Sequence, residues 1–90
     1  MMYPYITLDD ETIITHSHLM GEGENKSVEV HFERPNDDGG FDTARCRIPG
    51  YEWIIRKGYN DKEMARFERL CRNAAGSFFR YAEEGGHGLA

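Results

Sequence analysis

The stretch Val28-Glu29-Val30-His31-Phe32-Glu33-Arg34-Pro35, VEVHFERP, decides the fold. Val28, Val30 and Phe32 occupy every second position, with Glu29, His31 and Glu33 between them, which is the two-residue period of a strand with one dry and one wet face. The next apolar segment repeats the pattern. In FDTARCRI, residues 41–48, Ala44, Cys46 and Ile48 alternate with Arg45 and Arg47. Between the two lies PNDDGG, whose Asn, Asp and Gly residues suit a tight turn, so the segments read as antiparallel neighbours.

Working outward, YITL (5–8) and TIITHSHLM (12–20) are rich in β-branched and aromatic residues and are bounded by DDE and GEGENKS. The second of these is ambiguous in its facing, because Ile13 and Ile14 fall on opposite sides of a strand. Beyond Pro49 and Gly50, YEWIIRKG (51–58) is too short for periodicity to separate a helical turn from an extended segment, and either form covers an end of the core with Trp53 and Ile54 or Ile55. Asn60 followed by Glu63 has the spacing of a helix N-cap and its capping-box partner, and Asp61 lies where the helix dipole favours an acid. Met64, Phe67, Cys71, Ala74, Ala75, Phe78 and Ala82 then recur at three- and four-residue steps until Gly85 and Gly86, which predicts a helix of about six turns.

The expected architecture is α+β. A four-stranded antiparallel meander is followed by a short turn or helix and then by one long C-terminal helix packed on one sheet face. Residues 1–84 make a single domain, and the glycine-rich residues 85–90 read as a flexible tail. Leu70, Phe79 and Tyr81 widen the helix's apolar sector beyond the roughly 100° needed for a sheet contact. Either Trp53 and its neighbours cover the excess or a second subunit does.

Composition narrows the functional classes. Sixteen acidic residues against eleven Lys and Arg give a net charge of −5, a field that repels nucleic acid and anionic lipid. Cys46 and Cys71 sit at apolar periodic positions and match no zinc spacing, so they read as reduced core thiols. The N-terminal residues lack the charged and apolar regions of a secretion signal, and no 18-residue apolar run exists, so a cytoplasmic chain with no membrane contact is expected. There is no nucleophile elbow, phosphate loop, dinucleotide fingerprint or calcium loop, and a core-facing strand cysteine such as Cys46 is normally inert. Neither enzymatic activity nor a cofactor is expected.

Three sets of residues remain as candidate sites. The aromatic and apolar residues Trp53, Tyr51, Tyr59, Leu70 and Phe79 fit a surface that docks a protein partner or a second copy of the chain, since aromatic side chains are enriched where proteins meet. Lys62, Arg66, Arg69 and Arg80 fall within about 40° of one helical line and could engage phosphates, although acidic residues nearby and the overall charge argue against nucleic acid. His16, His18 and His31 form the third set. Pairing residue 19 with 28 would set His16 opposite His31 and bring all three imidazoles to the wet face beside Glu29, a geometry open to zinc. A one-residue slip would scatter them. Arg45 and Arg47 are expected to pair with Glu29 and Glu33 across strands. The leading expectation is a small cytoplasmic, non-enzymatic protein-binding module, with metal binding and nucleic-acid binding as alternatives.

Overall fold

The computed structural model describes residues 2–85. Five strands are present: β1 (Met2–Thr7), β2 (Ile13–Ser17), β3 (Val28–Pro35), β4 (Phe41–Ile48) and β5 (Glu52–Lys57), followed by helix α1 (Asp61–Glu83). They form one antiparallel sheet in the order β1-β2-β3-β4-β5, a meander with β3 at its centre. The α+β class, the meander and the C-terminal helix agree with the sequence pattern; the strand count does not. Of the two forms open to YEWIIRKG the extended one is taken, and within it Glu52–Lys57 is a fifth strand, hydrogen-bonded along β4 with Arg45 opposite Ile55 and Cys46 opposite Trp53. Its local pattern is obscured by a register shift at Ile54, which puts Ile54 between the paired residues Trp53 and Ile55.

Turn chemistry explains the short connections. Asn36 Oδ1 accepts hydrogen bonds from the amides of Asp38 (3.0 Å) and Gly40 (3.1 Å), closing the β3–β4 turn, with Gly39 at φ +81° where a side chain would be strained. Gly58, at φ +92°, ends β5; a Cβ there would collide with the Asp42 carboxylate. Asn60 then caps α1: its side chain accepts from the Glu63 amide at 2.8 Å, and Glu63 Oε1 accepts from the Asn60 amide at 3.0 Å. At the other end the Gly85 amide donates to Ala82 O with Gly85 at φ +70°, the left-handed stop that glycine permits. The expected tail lies outside the described residues apart from Gly85.

One sheet face packs on α1. Ile14, Val28, Val30, Phe32, Ala44, Cys46 and Ile48 meet Met64, Phe67, Cys71, Phe78 and Ala82, and all are buried. Phe32 stacks on Phe67 with ring centroids 4.3 Å apart, and Tyr5 lies 4.4 Å from Phe78. Each buried phenylalanine contributes about 1.5–3 kcal/mol. The helix's wide apolar sector is met by the sheet's own width: Trp53 on β5 lies against Phe32, while Tyr5 on β1 reaches Tyr81.

Arg34 ties the end of this interface. Its guanidinium bonds Asp42 of β4 (2.7 Å), Glu63 of α1 (2.7 Å) and Asp10 of the β1–β2 loop (3.1 Å), and lies 4.7 Å over the Tyr59 ring. These contacts raise the Arg34 pKa further above its usual value. The Arg34 bond holds the Asp42 carboxyl below the usual range, and at Asp10 the bonds from Thr12 and Arg34 outweigh burial with the same result.

Candidate functional site

The register of β2 against β3 decides what the histidines can do. Ile13 lies opposite Glu33, Ile14 opposite Phe32, Thr15 opposite His31 and His16 opposite Val30. His16 therefore enters the core, and the expected set of His16, His18 and His31 does not assemble. His16 is 1% exposed, its Nδ1 lies 2.9 Å from Ser17 O, and its ring packs edge-on against Phe78. His31 points to the opposite face, with Nε2 2.8 Å from Thr43 Oγ1. His18 is exposed beyond the end of β2. Among the described residues no three His, Cys, Asp or Glu side chains converge as metal ligands would.

The cause is a bulge. Met20 pairs with Ser27, which is the register expected from setting 19 against 28. Between that pair and His16–Val30, however, three residues (17–19) face two (28–29), so the register shifts by one and every side chain of β2 changes face. Ser17 stabilises the irregularity: its hydroxyl accepts from the Glu29 amide at 2.9 Å and donates to His18 O at 2.8 Å.

The expected aromatic docking set is also divided. Tyr59 is 3% exposed, stacked edge-on against Phe67 at 4.8 Å, with its hydroxyl 3.2 Å from Thr12 Oγ1. It is a core residue, and burial pushes its phenol up. Leu70 and Phe79 are half-buried but nine residues apart, hence about 180° apart around the helix, on opposite flanks. Tyr51 lies beneath the Arg72 guanidinium at 4.1 Å, and Trp53 is half-buried against Phe32. These five residues do not share one surface.

The basic set keeps its alignment. Lys62, Arg66, Arg69 and Arg80 are all exposed along the outward side of α1, over about 27 Å at 1.5 Å per residue. Among the described residues none of the four forms an ion pair, while Glu68 is engaged by Arg72 at 3.4 Å on the flank.

Helix α1 leaves the other face of the sheet uncovered. Opposed residues share a face, so the register places Thr15, His31, Arg45 and Ile55 in one row, Ile13, Glu33, Thr43 and Lys57 in the next, and Glu29, Arg47 and Glu52 in a third, with Phe41 opposite Pro35 at one end. The large apolar residues with the greatest exposure are Ile6, Ile13, Phe41, Ile54 and Ile55, at 38–52%. Three of these lie on this face and the other two on the edge strands; none is on the helix. Phe41 was legible as an outward residue, since it alternates in phase with Arg45 and Arg47. Ile13 and Ile55 were not, because each depends on a register that a bulge alters.

Four of the charged residues on this face, Glu29, Arg45, Arg47 and Glu52, are mutually engaged. Arg45 and Arg47 both reach Glu29 at 3.4 Å, and Arg47 reaches Glu52 at 3.7 Å; the Glu33 pairing expected from sequence is not formed. Arg34 sits on the other face and adds nothing to this one. Burial and the neighbouring Arg45 cation lower the His31 pKa despite Glu33. At neutral pH the middle of the face is therefore an uncharged imidazole between a threonine and an arginine.

Cys46 and Cys71, distant in sequence, are both fully buried in the core and unoxidised, and Cys46 Sγ donates to Arg47 O at 3.9 Å. The neighbouring Cys46 and burial push the Cys71 thiol well above its usual range, so it carries no nucleophilic thiolate. No pocket is found among the described residues, and none of their helices is long and apolar enough to cross a membrane. Comparison with protein-family models, curated proteins and solved structures gives no match.

Proposed function

We propose that this chain is a small, non-enzymatic protein-binding module that docks its partner on the open face of the sheet. The observation that carries the reading is the distribution of exposed apolar side chains: of the five most exposed, Ile13, Phe41 and Ile55 lie on that face, and the helix has none as exposed. Apolar residues within a polar, hydrogen-bonded frame are the composition of a protein interface. Edge pairing is disfavoured as the mode of docking. β1 carries Pro4 and a register irregularity, and β5 carries a bulge at Ile54, both features that obstruct strand addition. The unpaired core thiols suit a reducing compartment such as the cytoplasm.

Site-specific photo-cross-linking tests the reading. A photoreactive residue at position 55 is expected to yield a discrete protein adduct in cells making the chain, and one at Asn73 on the helix is not. Adducts from position 73 alone, or from neither, refute docking on the sheet.

A second reading is supported by the aligned Lys62, Arg66, Arg69 and Arg80: the outward side of α1 would then engage a polyanion such as nucleic acid. Four phosphate contacts predict an affinity for duplex DNA that falls with salt at a log–log slope of about −3.6. Undetectable binding at low ionic strength refutes it.

A further inference from the structure

We infer that the partner seated on the open sheet face is a second copy of this chain, the two sheets packing face to face about β3. The inference rests on the docking reading above and adds the identity of the occupant. Its basis is charge. The chain carries −5, so two copies repel one another on average, yet the open face has three acids, Glu29, Glu33 and Glu52, against three bases, Arg45, Arg47 and Lys57. The excess negative charge is carried elsewhere, including Asp9, Asp10, Glu11, Asp37 and Asp38 in the turns at one end of the sheet. The face is thus one on which like molecules meet without a net charge of one sign, and it is where Ile13, Ile55 and Phe41 lie.

Its size sets the expected strength. Five strands about 4.8 Å apart, about six residues long at 3.3 Å each, give a flat area of roughly 24 Å by 20 Å, or about 480 Å². Stable interfaces bury about 800 Å² per partner, so the association should be weak and reversible. β3 is the central strand, so a two-fold axis through the middle of the face brings the two His31 side chains near each other. Arg45 from β4 and Glu29 and Glu33 from β3 also face this site, while Thr15 from β2 and Thr43 from β4 bring no charge.

The test is light scattering on untagged full-length chain, from about 1 μM to about 500 μM. The wild type is expected to rise from 10.4 kDa toward twice that mass. The double variant Ile13→Glu/Ile55→Glu should move the transition at least about tenfold higher in concentration, and Phe41→Asp serves as a second probe if that variant is misfolded by circular dichroism. Arg66→Glu/Arg69→Glu on the helix should leave the transition in place. A wild type that stays monomeric throughout overturns the inference, and so does a dimer that survives the sheet variants or is lost in the helix variant. The two readings fail separately: an adduct from position 55 at a mass other than twice the chain's keeps docking and removes the second copy.

Discussion

Removing the Ser17 hydroxyl should test the bulge on which the fate of the histidines depends. The hydroxyl is the hydrogen-bond acceptor for the Glu29 amide at 2.9 Å and a donor to His18 O at 2.8 Å, and the residue is only 5% exposed. Ser17→Ala deletes both bonds and leaves a backbone N–H and a carbonyl without these partners. A typical bond contributes about 0.5–1.5 kcal/mol net, and an orphaned buried donor costs about 1–3 kcal/mol, so the variant should lose about 2 kcal/mol. For a domain of this size that is a fall in Tm of roughly 8–16 °C. Urea unfolding followed by circular dichroism reads the total, and amide exchange at Glu29 reads the cause, since its protection should drop more than that of Val30. A variant within about 0.5 kcal/mol of wild type, with Glu29 still protected, would refute the bulge. The unshifted register, with three histidines on one face, would then return.

Other expectations follow from the same geometry. His31 should titrate below 6.5 by NMR, because burial and Arg45 disfavour its cation. The unfolded chain then takes up this proton first, so the His31 contribution is full above 6.5 and is lost as pH falls through the lowered value; a midpoint above 6.5 refutes the assignment. Asp10 and Asp42 are held below 3.8, so the stability from the Arg34 node is present above that value and is lost as pH falls through their lower folded values. Asp42→Asn should make the acid loss shallower in urea melts run from pH 7 to pH 3, and an identical pH profile counts against the node. Asn60→Ala removes the acceptor for the Glu63 amide and should cost about 1 kcal/mol in urea unfolding, whereas an unchanged midpoint would show the cap to be idle.

Sequence alone determined the elements whose signals are local. The capping box at Asn60 and Glu63, the three- and four-residue steps from Met64 to Ala82 and the stop at Gly85 mark a helix because each partner lies within one turn of the other. The alternation in β3 and β4 assigns inward and outward residues for the same reason. Tertiary structure decided the rest. The face of His16 depends on Ser17 meeting the Glu29 amide twelve residues away, and one extra residue in a strand inverts every side chain before it. Residues 52–57 became a strand because β4 offered an edge, which a window of eight residues does not reveal. Tyr59 changed from a candidate contact to core because Phe67 of α1 and Arg34 of β3 close around it. Periodicity records which residues prefer burial, whereas pairing between distant segments determines which of them can be buried together.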